Sequence, residues 1–161
     1  MKIDLSKIVI RKVENGDIET MANYRLDYLT ELQGERGEDY KQKLRTELIG
    51  FLKSEIENAR FFALLAEFNG EILSFGAMVV KRIPGDFNQS SYLEGDILNM
   101  YTLPKFRRMG ISSLILKRLL EEARELGISK VALHTSKDGE KLYRKYGFSE
   151  PIYPVLERLI D

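Results

Sequence analysis

The chain has 161 residues, of which 43% are hydrophobic, and it balances 25 Lys plus Arg against 25 Asp plus Glu. This length and composition predict one globular domain over residues 1–161 with a core of ordinary size. The even charge argues against a nucleic-acid-binding protein, which would carry a basic surface. The sequence has no cysteine and one histidine, which excludes a thiol nucleophile and a disulfide framework and disfavours a metal centre.

The N-terminus lacks the apolar core of a secretory signal, and no apolar run approaches the roughly twenty residues of a membrane span. We therefore expect a cytoplasmic protein with neither a membrane nor a nucleic acid as partner. Its ligands must then be recognised by local features.

Periodicity and turn residues predict alternating strands and helices. Apolar residues recur at helical spacing after Asp17, an expected N-cap, and Asn69-Gly70 is typical of a tight hairpin. The first half of the chain is predicted to form a strand at 8–13, a helix from 18 that ends at the stretch 33–39, a helix at 40–58, and strands at 61–68 and 71–81. After a loop at 83–91, we predict a strand at 92–103, a helix at 110–126, a strand at 130–135 and a helix at 137–146. A last strand or hairpin is predicted at 151–160.

The stretch 99–124 predicts an anion-binding loop. An extended run is followed by a proline-marked turn and then, without a break, by an amphipathic helix, whose first amides have no intrahelical partner and carry partial positive charge. In the turn a glycine allows close approach of the main chain, two arginines add charge and two serines can donate hydrogen bonds. These residues are Arg107, Arg108, Gly110, Ser112 and Ser113. The competing interpretation is an ordinary strand-to-helix corner.

A second segment, 133–148, predicts a strand followed by a short helix that carries the sequence Leu-Tyr-x-x-x-Gly-Phe. The single glycine of the first loop excludes the glycine-rich loops that bind nucleoside triphosphates and dinucleotides. Together the two segments resemble the Gcn5-related N-acetyltransferases. That family binds the pyrophosphate of acetyl-coenzyme A with Gln/Arg-x-x-Gly-x-Gly/Ala and closes with the same tyrosine-bearing helix.

The resemblance is good over 96–148 and rests on layout alone before that. Arg107 and Gly110 match the loop, whereas Ser112, Ser136 and Gly139 depart from residues that many members have. The resemblance implies an α/β (α+β) fold with a mixed, centrally splayed sheet flanked by helices in the order β-α-α-β-β-β-α-β-α-β.

The implied activity is transfer of an acetyl group from acetyl-coenzyme A to a primary amine by direct attack in a ternary complex, without a metal. The family opens two parallel strands and lets the pantetheine arm pair with the exposed strand edge, while the loop holds the pyrophosphate. The coenzyme-binding residues that we predict on this basis are Met100, Tyr101, Thr102, Arg107, Arg108, Met109, Gly110, Ile111, Ser112, Ser113 and Ser136.

Acid-base chemistry is needed because an amine with a pKa near 10 is only about one part in a thousand neutral at pH 7. Asp96 aligns with the glutamate that serves as base in the histone-modifying branch of the family, and Glu94 lies on the same strand face. Each of these two carboxylates is equally consistent with a solvated acid that has no catalytic role, and water could serve as the base instead. Tyr143 occupies the family position that faces the coenzyme sulfur, although a core aromatic is the alternative. His134 is predicted to be structural.

The substrate amine, either a small molecule or a peptide, is expected to meet the first two helices. Their aromatic and acidic residues could attract a cation, although a solvated loop is the more common meaning of such a charge run. These residues are Tyr24, Tyr28, Glu31, Glu35, Glu38, Asp39 and Tyr40. A homodimer is left open. The alternative function is a non-catalytic acyl-coenzyme A-binding regulatory domain, which would not need a proton donor at the sulfur.

Overall fold

The computed structural model describes residues 3–160 and contains a mixed sheet with helices on both faces. Its elements are β1 Val9–Lys12, α1 Ile18–Gln33, α2 Glu38–Glu57, β2 Phe61–Phe68, β3 Glu71–Pro84, β4 Ser91–Thr102, α3 Ile111–Glu125, β5 Ile128–Ala132 and α4 Lys137–Lys145. The predicted fold class and the order of these nine elements are confirmed. Among the described helices, none is long and apolar enough to cross a membrane.

The sheet has the strand order β1-β2-β3-β4-β5, antiparallel from β1 to β4 and parallel between β4 and β5. One face packs against α3 and α4 around Leu64, Ile115 and Leu119. The other face packs against α1 and α2 around Phe75 and Tyr101. Since β2 and β3 are covered on both faces, they are apolar over long stretches rather than alternating.

The sheet opens between β4 and β5. Their parallel pairing ends at Asp96, which faces Ala132, and the rest of β4 has no strand partner on that side among the described residues. A bulge at the same place breaks the pairing with β3, and Asn99 there takes a left-handed φ of 57°. Because the bulge interrupts the regular alternation of side chains along β4, Ile97 and Met100, three residues apart, both pack on the α3 side of the sheet.

The last predicted strand is absent. Residues 146–160 contain no helix or strand, and the apolar side chains of 151–160 are exposed. The prediction was wrong because a strand requires a neighbour to accept its backbone hydrogen bonds, and this segment has none among residues 3–160. The other boundaries differ by a few residues. The β3–β4 hairpin is longer than predicted, with its loop reduced to 85–90, and β5 begins two residues earlier.

Candidate active site

The loop between β4 and α3 presents a row of unpaired amides. Arg108 and Gly110 both adopt left-handed φ angles, 61° and 86°. Within the described residues, the backbone N–H groups of 108–112 donate no hydrogen bond, and α3 begins only at Ile111. Consecutive free amides at a helix start form a concave site for an anion. Gly110 is needed here for its backbone angle, since a Cβ would meet only Leu5, at 3.4 Å.

The hydroxyl of Ser112 faces inward. Ser74 Oγ donates to the backbone oxygen of Tyr101 at 2.8 Å and lies 2.8 Å from Thr102 Oγ1, which lies 2.9 Å from Ser112 Oγ. Each hydroxyl has one proton. Because Ser74 gives its proton to the carbonyl, Thr102 donates to Ser74 and Ser112 donates to Thr102. Ser112 therefore ties the first turn of α3 to β4.

Arg107 is also held by its own chain. Its Nε donates to the backbone oxygen of Thr102 at 2.9 Å, and one terminal nitrogen lies 2.9 and 2.7 Å from the two carboxylate oxygens of Glu31. Tyr101 donates to the same carboxylate at 2.8 Å. Burial acts to raise the pKa of Glu31, but the hydrogen bonds from Arg107 and Tyr101 outweigh it and lower that pKa. Both loop arginines are exposed, but within residues 3–160 only Arg107 has such side-chain partners.

Helix α4 is capped at its start and linked to α3 at its end. Ser136 caps this helix by accepting from the Gly139 N–H at 3.3 Å. Tyr146 donates from its hydroxyl to the backbone oxygen of Ser113 at 3.4 Å, which links α4 to the first turn of α3. A side chain at Gly139 would come within 3.1 Å of the Tyr143 ring. The short helix is thus positioned at both ends.

Tyr143 is half-buried and packs edge-on against Phe148, with ring centroids 5.8 Å apart. Burial raises the pKa of its hydroxyl, and Tyr28 of α1 raises it further. A raised pKa keeps the phenol protonated, which is the form that a hydrogen-bond donor requires.

The two candidate acids lie on one face of β4, as predicted, and each is paired with a lysine. Asp96 is 2.7 Å from Lys81 and its side chain is 35% exposed, whereas Glu94 is 2.9 Å from Lys130 and is 20% exposed. Asp96 is the last residue of β4 that still pairs with β5. It therefore stands at the vertex of the opening, and Glu94 lies within the closed part of the sheet.

The family comparison agrees with this geometry. The profile of the Acetyltransferase (GNAT) family matches residues 20–148. The chain belongs to this family. A search of curated proteins gave no significant match.

Solved structures show the same fold. A predicted acetyltransferase from Clostridium acetobutylicum, crystallised with acetyl-CoA, is similar over 94% of this chain and 96% of its own, at 29% identity and a TM-score of 0.80. The GCN5-related N-acetyltransferase from Ralstonia eutropha JMP134 is similar over 94% of this chain and 98% of its own, at 23% identity and a TM-score of 0.75. For glucosamine-6-phosphate N-acetyltransferase from Arabidopsis thaliana, the match covers 95% of this chain and 99% of that protein, at 17% identity and a TM-score of 0.67. The last two comparisons bear on fold alone.

The residues present suit the co-substrate of a GNAT acetyltransferase. The unpaired amides of 108–112 match a pyrophosphate, and the unpaired edge of β4 from Ile97 to Thr102 offers backbone groups to an extended amide-containing arm. Met109 and Ile111 pack into the α3-side core and anchor the loop from below. No group of three or more His, Cys, Asp or Glu side chains suited to a metal ion occurs in residues 3–160.

Several of the aromatic and acidic residues that we predicted to meet the substrate amine have partners within the protein. Tyr24 stacks on Phe75 in the core, and Glu35 and Glu38 both face Lys41. Glu31, as described above, accepts hydrogen bonds from Arg107 and Tyr101. The predicted acidic region is therefore largely neutralised by its own cations. Asp39 and Tyr40 lie exposed on the first turn of α2.

Sequence reasoning missed Arg25. From α1 it donates to the Asn99 side chain at the β4 bulge, and its guanidinium carbon lies 5.7 Å from the centroid of the Tyr28 ring. Burial lowers the pKa of Arg25. The residue ties α1 to β4, the strand at which the sheet opens. Helical spacing places Arg25 on the same face as the buried Met21 and Ala22, but its role could not be predicted because the bulge that receives it is a tertiary feature.

Proposed function

We propose that this GNAT protein transfers an acetyl group from acetyl-coenzyme A to a primary amine by direct attack in a ternary complex. The observation that carries the proposal is the row of five free amides at 108–112 beside the unpaired edge of β4. This pairing of sites suits a ligand with a pyrophosphate at one end and an extended, amide-bearing arm at the other. The absence of cysteine from the sequence favours direct attack over a thiol-bound acyl intermediate.

The chain supplies three functions at the opening. The β4 edge orients the thioester and offers a backbone N–H to its oxygen, where negative charge grows during attack. Asp96, at the vertex, takes the proton that the attacking amine must lose, with Glu94 as the second candidate. As the carbon–sulfur bond breaks, Tyr143 donates its hydroxyl proton towards the departing sulfur. The products are an N-acetylated amine and free coenzyme A.

Tyr143 is a hydrogen-bond donor rather than a strong acid. Its pKa is raised by burial, so complete transfer of its proton to a thiolate is uphill. A donor aimed at developing charge nevertheless contributes about 10–10³-fold to the rate. The proton becomes fully transferred only as the sulfur becomes basic.

The test compares two conservative variants in one assay that measures free thiol release from acetyl-coenzyme A with a panel of amines. Tyr143→Phe should lower turnover by about 10–10³-fold with little change in coenzyme affinity or melting temperature. Tyr146→Phe removes a hydroxyl that only bonds to the Ser113 backbone, so it is the matched control and should keep nearly full turnover. Full turnover in Tyr143→Phe would refute its role. Coenzyme binding by the parent protein without turnover on any amine would instead support the regulatory domain.

A further inference from the structure

Arg25 is a partly buried cation without a carboxylate partner. It lies on the inner face of α1, beside the buried Met21 and Ala22. Among residues 3–160 its guanidinium makes one hydrogen bond, from Nη1 to the Asn99 side chain, and no ion pair. Burial lowers the pKa of Arg25, and the opposing influence comes from Tyr28 and not from a carboxylate. Because an unpaired charge is costly to bury, an anion bound at this position would stabilise it.

The guanidinium of Arg25 keeps one edge available to a ligand. Its Nε and Nη2 atoms have no acceptor within residues 3–160. In that part of the chain no fully buried side-chain nitrogen or oxygen lacks a partner, so both atoms must retain contact with solvent. The N–H groups on this edge are parallel, which is the geometry that binds a carboxylate or a phosphate through two hydrogen bonds. The Tyr28 ring, centred 5.7 Å from the guanidinium carbon, flanks the cation.

Arg25 reaches the same face of β4 as Asp96. Asp96 pairs with Val79, which packs in the core on the α1–α2 side, and directly opposed side chains of an antiparallel pair share a face. Asn99, the partner of Arg25, follows three residues later, so its Cα lies within about 10 Å of the Cα of Asp96. The guanidinium and the proposed base are therefore close enough for one small molecule to reach both.

The neighbouring cations already have partners. Lys81 is paired with Asp96 itself, and Arg107 is paired with Glu31. Holding the β4 bulge does not explain the charge of Arg25, because a neutral amide donates the same kind of hydrogen bond to Asn99 at a lower desolvation cost. The feature that needs a function is the unpaired positive charge.

We propose that Arg25 selects the acceptor: the amine that this enzyme acetylates also carries a carboxylate or a phosphate, which the Nε–Nη2 edge of Arg25 binds while the amine faces Asp96. The inference rests on the proposed acetyl transfer and narrows its acceptor to a small zwitterionic amine. The reaction itself is unchanged. The amine nitrogen bonds to the acetyl carbon and loses one proton, the carbon–sulfur bond breaks, and the sulfur gains one proton. Arg25 determines specificity and transfers no proton.

The first experiment measures kcat/KM by free thiol release for matched pairs of amines. Glycine, β-alanine and lysine are each compared with their carboxamides, and O-phosphoethanolamine is compared with ethanolamine, which separates carboxylate from phosphate. The parent should prefer the anionic member of at least one pair by about tenfold or more. Arg25→Gln should abolish that preference through a higher KM, while the neutral member stays within about threefold of the parent. Arg124→Gln, at an exposed residue of α3, is the matched loss of charge and should keep the preference.

Comparing parent and variant within one pair cancels the intrinsic difference in amine basicity. A parent that acetylates amines without preferring the anionic member of any pair would overturn the inference and leave the proposed function intact. An equal loss on both members of each pair in Arg25→Gln would show a structural role. A loss of coenzyme A affinity would assign Arg25 to the coenzyme, and either of these two outcomes would also overturn the inference.

A binding experiment separates the inference from the proposed function. Calorimetric titration of the protein, saturated with free coenzyme A, measures affinity for the same amines without turnover. The anionic member should bind to the parent about tenfold more tightly than its neutral counterpart, and Arg25→Gln should remove the difference. Such binding without acetyl transfer in the first experiment would refute the enzyme and support Arg25 as the ligand contact. Acetyl transfer without charge-dependent binding would do the reverse.

Discussion

The loop half of the candidate site, residues 107–112, and its strand half, β4 around Asp96, use the chain in opposite ways. In the loop half, Arg107 and Ser112 bind to other parts of the protein, and the backbone amides of 108–112 donate to no acceptor within residues 3–160. In the strand half, the backbone around Asp96 is paired on both sides, so side chains are the groups available for the proposed chemistry. Coenzyme binding should therefore depend on main-chain conformation, whereas catalysis should depend on individual functional groups.

The largest effect that this contrast predicts is at Asp96. Asp96→Asn keeps the side-chain shape and removes the proposed base, so the rate with an amine should fall by about 10²-fold at neutral pH. The rate should recover in part at high pH, where solvent deprotonates the amine. A pH–rate profile measured at saturating coenzyme checks this, with Glu94→Gln as the matched variant. A profile equal to that of the parent would transfer the role to Glu94 or to water.

The next effect concerns the loop backbone. Gly110→Ala forces a Cβ into a left-handed conformation, so coenzyme affinity should fall by about tenfold or more. Gly127 ends the same helix with a similar φ of 76°, against 86° for Gly110, and lies in open space. Gly127→Ala therefore carries comparable strain away from the site and should keep its affinity. Calorimetric titration of both variants with coenzyme A decides the matter, and equal affinities would remove the loop from the binding site.

A smaller effect is expected from crowding Tyr143. Gly139→Ala adds a methyl group 3.1 Å from both the Tyr143 ring and Thr135 Oγ1, which the ring must accommodate by moving a few tenths of an ångström. Turnover should fall by about threefold to tenfold with unchanged coenzyme affinity, because positioning of the donor is disturbed and the donor itself is retained. Gly50→Ala, on the open surface of α2, is the control. An unaltered turnover in Gly139→Ala would show that the ring position is not critical.

Glu31 allows a test on stability and pH. Its pKa lies below the ordinary value of 4.5 in the folded protein, despite the opposing effect of burial, because Arg107 and Tyr101 bind the carboxylate. The stability that it adds is present above its unfolded pKa and is lost as the pH falls through the lowered folded pKa. The melting temperature of Glu31→Gln should therefore lie below that of the parent at neutral pH and approach it in acid. A difference that stays constant with pH would contradict this linkage.

The smallest effect is expected at Ser112. Its proton is given to Thr102, so Ser112→Ala removes no donor from the phosphate site, and coenzyme affinity should change by less than about threefold. The melting temperature should drop because Thr102 loses its partner. Titration and thermal unfolding of the same preparation separate the two roles. A large loss of affinity at unchanged stability would mean that Ser112 contacts the phosphate and would break the contrast between the halves.

The sequence by itself determined the order of nine elements, the loop and the family. These features follow from local signals: apolar periodicity, the Asn69-Gly70 turn, and a single glycine at the start of an amphipathic helix. The roles of Tyr143, Asp96 and the loop residues stay predictions. Local sequence patterns assign such residues to a helix, strand or loop, but they do not reveal the tertiary contacts that the side chains make.

The tertiary structure alone decided which groups remain free. Whether Arg107 and Ser112 point outward depends on Glu31 and Thr102, which lie 76 and 10 residues away in the chain. The expected last strand shows the same limit, since an apolar, β-prone sequence becomes a strand only where a neighbour accepts its hydrogen bonds. Local sequence sets conformational preference. Partners distant along the chain determine whether that preference is realised.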